Sequence, residues 1–289
     1  MSINAPIGIF DSGLGGLTVV KRVLEKLPQE SIIFIGDQAH IPYGERSLRE
    51  IRSFALGICE FLIGQNSKLI IMACNMSSAT ALQQANTLYP HIPVIGVIEA
   101  GVRAATRSAT RGPIGVLATT GTVETGAYTK TLIGLMPEAV VIEQACPKFV
   151  PLVEAGMCDS PEAEEAVREY TGVLLSAGCR AIILGCTHYP FLADVIRKAI
   201  GPDITIIDPA EETAIEAANI LSNAGMLNTP QAEPVHACFT SGHPEQFAEL
   251  GSRFLGRTIS DVNKITWGLD LRAIECQEKT AEKTTNSAL

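Results

Sequence analysis

The stretches KLIIMACNMSSATAL (68–82) and RAIILGCTHYPFLADVI (180–196) carry one plan twice. After a single basic residue, each runs through a short apolar segment, reaches a cysteine (Cys74, Cys186), takes a small polar residue and passes into a helical pattern. A short apolar run followed by a helix reads as a strand covered on both faces, as in a parallel sheet. An amphipathic helical pattern precedes each copy. The echo predicts two related α/β domains, each offering one cysteine at the carboxyl end of a strand, where open α/β sheets bind ligands. Two such ends facing each other enclose a small ligand between two thiols.

Working outward, the same alternation fills the chain. IGIF (7–10), SIIFIGD (31–37), PVIGVI (93–98), PIGVLAT (113–119), AVVIEQA (139–145) and ITIIDP (204–209) read as further strands, with helices in most gaps. A helix after IGIF runs to Leu27, where Pro28 ends it. Ser47 and Glu50 form a capping-box pattern for a helix reaching about Gln65, and Ser160-Pro161 opens one ending near Gly178. The less regular LNTPQAEP (227–234) precedes a strand-like VHACFTSG (235–242) and a helix around 244–255. The expected fold class is α/β: two pseudo-symmetric, mostly parallel-sheet domains built from right-handed βαβ units, with the active site between them. Residues 1–98 plus about 208–260 form the first domain, 99–207 the second, and 261–289 a C-terminal segment with a polar tail.

Composition narrows the function. Of 289 residues, 22 are Lys or Arg and 31 are Asp or Glu, for a formal charge of −9, and 46% are hydrophobic. An acidic chain without basic blocks is a poor partner for nucleic acid or an anionic membrane. No apolar run reaches the roughly 18–20 residues of a membrane span, and MSINAPIGIF lacks the features of a secretory signal. A cytoplasmic globular protein is expected, with reduced cysteines. The eight cysteines form no CxxC pair, so a metal site is not expected.

Cys74 and Cys186 are the leading chemical candidates. A cysteine is ordinarily a small buried hydrophobe, but a strand end just before a helix start favours thiolate, and this position recurs. Cys59, Cys146, Cys158, Cys179, Cys238 and Cys276 lack that context and are assigned to packing. His188 stands two residues after Cys186, placed to assist proton traffic. Asp11 and Ser12 open the turn DSGLGG after the first strand. That turn matches neither phosphate-loop pattern, and its carboxylate suits an ammonium group or the orienting of a base. Tyr43-Gly44 offers backbone and hydroxyl donors, and the run TTGT beginning at Thr119 offers hydroxyls for a carboxylate. Glu154 reads by itself as a solvated helix residue.

Together these motifs resemble the glutamate racemases of the cofactor-independent aspartate/glutamate racemase family. PIGIFDSGLGGLTV, IGDQAHIPYGERS, ACNMSSATAL, GVIEAG, LATTGTVETGAY, ACPKFVPLVEAG and LGCTHYPFL follow family order across 6–192, and weaker similarity continues through FTSGHPEQFAELGSRFLG. The resemblance implies a two-base reaction with no cofactor and no metal. Cys74 acts on D-glutamate and Cys186 on L-glutamate, and Asp11, Glu154 and His188 fall at the assisting positions. Ser12, Tyr43, Gly44, Asn75, Met76, Thr119, Thr187 and His188, with Asp11, fall where the family binds substrate. Met76 stands where the family usually has threonine, leaving only a backbone donor there. The implied role is supply of D-glutamate for bacterial peptidoglycan. A homodimer and activation by a peptidoglycan precursor stay open. The alternatives are an aspartate racemase of the same superfamily and a non-catalytic regulatory relative.

Overall fold

The computed structural model describes residues 2–108, 112–229, 233–268 and 274–276. The first half of the chain gives β1 (Ile7–Asp11), α1 (Leu17–Lys26), β2 (Ile32–Gly36), α2 (Leu48–Gly64), β3 (Leu69–Met72), α3 (Asn75–Leu88), β4 (Val94–Gly96) and α4 (Val97–Arg107). The second gives β5 (Ile114–Ala118), α5 (Thr120–Thr125), α6 (Ala127–Leu135), β6 (Val141–Ala145), α7 (Phe149–Glu154), α8 (Pro161–Ser176), β7 (Ala181–Gly185), α9 (Ala193–Ile200), β8 (Thr205–Ile207) and α10 (Pro209–Asn223). Then come β9 (His236–Thr240), α11 (Pro244–Leu255), β10 (Val262–Trp267) and β11 (Ile274–Cys276).

The strands form a seven-stranded sheet of order β11-β10-β9-β2-β1-β3-β4 and a four-stranded sheet of order β6-β5-β7-β8. All pairings are parallel except β10 with β11. The repeat predicted from the two cysteine segments is therefore a repeat of topology: β2-β1-β3-β4 in one sheet matches β6-β5-β7-β8 in the other. Registers agree as well, since Ile7 faces Leu69 as Ile114 faces Ala181. Counting on equally from Leu69 and Ala181 brings Cys74 and Cys186 to the same structural position.

Each sheet is covered on both faces, which is why its strands read as continuous apolar runs rather than alternating ones. In the larger sheet, Ile7, Ile9, Phe34 and Ile71 face α1, α10 and α11, while Phe10, Ile35, Ile70 and Met72 face α2 and α3. In the smaller, Leu117, Ile182 and Leu184 face α7, α8 and α9, while Val116, Ala118 and Ile183 face α4 and α6. The halves exchange helices. α4 follows a strand of the larger sheet yet packs on the smaller, and α10 does the reverse. Their close crossing needs Gly101, where a Cβ would stand 2.9 Å from Pro209 Cγ. Arg103–Glu216 and Arg107–Glu212 ion pairs flank it.

The local signals are built as read. Ser47 Oγ accepts the Glu50 N–H at 3.3 Å while the Ser47 N–H donates to Glu50 Oε2 at 3.1 Å, and Ser160 Oγ accepts from the Ala163 N–H at 3.2 Å. Two expectations change. The run 93–98 is strand only to Gly96, because Val97 already begins α4. Within 261–289, set apart as a C-terminal segment, β10 and β11 extend the larger sheet beyond β9. The polar tail EKTTNSAL lies outside the described residues. Among the described residues, no helix is long and apolar enough to cross a membrane.

Candidate active site

The carboxyl ends of β1, β3, β5 and β7 converge on one cavity of about 530 Å³. Every residue singled out from the sequence lines it: Asp11, Ser12, Tyr43, Gly44, Cys74, Asn75, Met76, Thr119, Glu154, Cys186, Thr187 and His188. Both key cysteines are free thiols, only slightly exposed, at 6% for Cys74 and 8% for Cys186.

Their surroundings differ. Cys74 is the N-cap of α3, so the positive end of a long helix's dipole lies beside it, although its side chain makes no capping hydrogen bond. Its Sγ donates to Ser12 Oγ at 3.8 Å. Burial, aided by the Asp11 carboxylate, pushes the Cys74 thiol up to about 12 against the donors from Ser77 and Ser12. On its apolar side lie Tyr43, Ile51, Phe54 and Met76. Cys186 leads not into an α-helix but into a 3-10 turn, Tyr189–Leu192, and its sulfur stands 3.8 Å from His188 Nδ1. His188 Nε2 lies 3.3 Å from Glu154 Oε1, within ion-pair reach but without a formed hydrogen bond. Burial pulls the imidazole down, yet Cys186, Glu154 and Asp11 outweigh it and hold His188 at about 10. That favours the protonated imidazole, which lies within reach of the Cys186 sulfur. Glu154, a solvated residue by sequence alone, is thus the outer partner of a buried histidine.

Each cysteine's neighbour is held by the opposite half. Asn75 Oδ1 accepts the Tyr128 hydroxyl at 2.8 Å. Thr187 Oγ1 donates to Asp11 Oδ1 at 3.4 Å, and its carbonyl accepts from Thr18 Oγ1 at 3.3 Å. Asp11 is buried, which raises its pKa, opposed chiefly by the His188 charge. A Cβ on Gly15 would sit 2.4 Å from Thr187 Oγ1, so only glycine lets the DSGLGG turn lie against the Cys186 loop. Thr119 caps α5, accepting the Thr122 N–H at 3.4 Å.

Two assignments are corrected. The Tyr43 hydroxyl is not a donor into the cavity, because it donates to Asp37 Oδ2 at 2.7 Å. Among the six packing cysteines, Cys146 also lines the cavity, and Cys276 is exposed on β11. Sequence inspection missed Asp37, a fully buried carboxylate that also accepts from Ser241 Oγ at 2.6 Å, Trp267 Nε1 at 2.9 Å and His40 Nδ1 at 2.8 Å. Asp37 and Cys146 follow β2 and β6, so the strand-end rule applied evenly flags both. Tyr128 closes the motif LATTGTVETGAY, but no strand end marks it as part of the site. Among the described residues, no group of three or more His, Cys, Asp or Glu side chains is placed to hold a metal ion.

Fold and site define an α/β protein that brings paired thiols to one ligand-sized cavity, and residues 7–217 match the model of the Asp/Glu/Hydantoin racemase family. The chain belongs to that family. More particularly, it is similar to the glutamate racemase of Geobacter metallireducens, 42% identical over 260 residues, covering 90% of this chain and 96% of that one. Among solved structures it resembles the glutamate racemase isoform RacE1 of Bacillus anthracis (TM-score 0.86, 40% identity, 91% of this chain and 97% of that one). It also resembles the Francisella tularensis glutamate racemase solved with D-glutamate (TM-score 0.85, 36% identity, 91% and 98%).

Proposed function

We propose that the protein interconverts L- and D-glutamate by proton transfer between Cys74 and Cys186. The observation that carries this reading is the placement of two free thiols at equivalent strand ends of a repeated fold, facing one cavity, in a chain about 40% identical to glutamate racemases.

Inversion needs a proton lost from one face of the α-carbon and gained on the other. Two sulfurs on opposite sides supply both without moving a base across the molecular plane. From L-glutamate, the Cys186 thiolate paired with the His188 imidazolium takes the α-proton while the Cys74 thiol delivers one. From D-glutamate the roles reverse. The α-carbanion places negative charge on its carboxylate, and hydrogen-bond donors aimed at that charge lower the barrier. N–H groups at the start of α3 and α5, with the Ser12 and Thr119 hydroxyls, are the donors available, since the Thr187 hydroxyl is already given to Asp11. Asp11 suits the substrate ammonium. No step calls on a cofactor or a metal. The chemistry accords with a cytoplasmic supply of D-glutamate for peptidoglycan. The first domain is taken as 1–98 plus about 208–260, and the second as 99–207.

The test is incubation with L-glutamate in D₂O without added cofactor, following the α-proton by NMR and handedness by circular dichroism. L-aspartate and a peptidoglycan precursor serve as separate arms. Exchange with loss of optical activity, impaired in Cys74→Ser and Cys186→Ser, supports the two-thiol reaction. Exchange of aspartate alone, or of neither substrate in any arm, overturns it.

A further inference from the structure

In its helices this protein disposes of side-chain hydroxyls in a regular way. Thr80, Thr87, Thr131, Thr171, Thr213 and Ser252 each donate to the carbonyl four residues back, at 2.5 to 2.9 Å, the usual local outlet for such a group. Ser78 Oγ donates to Met72 O at 3.0 Å and accepts the Val97 N–H at 3.2 Å. Ser77 breaks the pattern. Its side chain is 0% exposed, and its hydroxyl makes no hydrogen bond. A buried polar group left unpaired is costly and calls for an explanation.

Its position supplies one. Cys74 is the N-cap of α3 and Ser77 the third residue of that helix. Elsewhere in this chain the same spacing joins a cap side chain to its partner, as Ser47 Oγ to Glu50 Oε2 at 2.7 Å and Thr119 Oγ1 to Thr122 Oγ1 at 2.9 Å. At α3 the residue at the cap position is the cysteine that exchanges the proton, and its side chain makes no capping hydrogen bond. We infer that Ser77 is a positioning residue for Cys74, whose idle hydroxyl is engaged as a donor only when the Cys74 sulfur carries negative charge. Both the N–H and the hydroxyl of Ser77 favour the ionised form of Cys74. An interaction made in the charged state and absent from the neutral one is the kind that speeds a reaction rather than merely tightening binding. The second half lacks the device. Tyr189 occupies the position equivalent to Ser77 and donates to Cys146 O at 3.3 Å, leaving His188 to serve Cys186.

The inference rests on the two-thiol reading, but its test does not require turnover. Native protein and the Ser77→Ala variant are treated with limiting iodoacetamide at one pH below the midpoint of Cys74, and the rates at Cys74 and Cys186 are read separately by peptide mass spectrometry. Alkylation follows the thiolate fraction, so removing a donor slows Cys74 by about three- to tenfold and leaves Cys186 unchanged. Racemisation kcat/KM falls by a similar factor, equally for both enantiomers because their equilibrium constant is one. The limb of its pH profile owed to Cys74 moves to higher pH. An unchanged Cys74 rate, or equal changes at both cysteines, overturns the inference, since a packing role moves both alike. Slowed Cys74 labelling in a protein that exchanges no glutamate would leave the inference standing and remove the proposed reaction.

Discussion

The two halves share strand order, register and a cysteine at the same strand end, yet they surround the two sulfurs with different chemistry. The Cys74 side is the N-terminus of an α-helix with hydroxyl donors and an apolar wall of Tyr43, Phe54 and Met76. The Cys186 side is a 3-10 turn with a histidine and a glutamate. Overall acid–base symmetry is required because both reactions run, but the means of holding a sulfur anion need not match. A dipole and neutral donors serve one face, and a full positive charge serves the other. The difference recurs at the opposite ends of β3 and β7. Lys68 is buried, paired with Glu30 at 2.6 Å, and donates to Ile3 O at 2.6 Å and Met226 O at 2.8 Å. Its counterpart Arg180 is exposed.

Breaking the pair of thiols tests the comparison most severely. Cys74→Ser and Cys186→Ser should each lower racemisation about 10²- to 10⁴-fold, measured by circular dichroism. A variant retaining full activity would show that one face needs no thiol. At the far ends of the strands, Lys68→Met should cost about 3–5 kcal/mol in urea unfolding, because Glu30 is left as an uncompensated buried charge. Arg180→Met should stay within about 0.5 kcal/mol. Equal effects would mean that burial does not distinguish the halves there.

Asp37→Asn sharpens the contrast within the site. It weakens the hub joining Tyr43, His40, Ser241 and Trp267, at about 1–3 kcal/mol for donors left poorly paired. As Asp37 acts through Tyr43, KM for glutamate should rise more than kcat falls, and steady-state kinetics separates the two. The gentlest probe is pH. His188 is held at about 10 in the folded protein against 6.5 for the free side chain, so the folded state binds the extra proton. Its contribution to stability is therefore complete below about pH 6.5 and is lost as pH rises towards 10. Thermal unfolding of wild type should lose ground to His188→Gln across that interval, and parallel curves would remove the imidazolium from the Cys186 side.

The fold was largely legible because its signals are local. Burial on both faces writes itself as apolar runs, and caps such as Ser47–Glu50 and Ser160-Pro161 need only neighbours a turn away. The site was legible where residues sit beside a strand end, as Asp11, Cys74 and Cys186 do. Tyr128 and the hub gathered around Asp37 were not, since they depend on partners remote in sequence: Asn75 for Tyr128, and Ser241 and Trp267 for Asp37. β10 and β11 were missed because both are only partly buried and carry weaker apolar runs.

By itself, then, the sequence determined the repeated α/β plan, the strand ends that carry the cysteines and the likeness to a racemase family. The first two follow from short-range burial and capping patterns that any fold of the chain must respect, and the likeness rests on the ordered motifs across 6–192. Only the tertiary structure decided how closely α4 and α10 cross, that each cysteine's neighbour is held from the opposite half, that Glu154 reaches His188, and that Ser77 alone among its helical neighbours keeps a free hydroxyl beside a reacting sulfur. Those outcomes depend on which distant groups meet once water is excluded, and no local pattern encodes them.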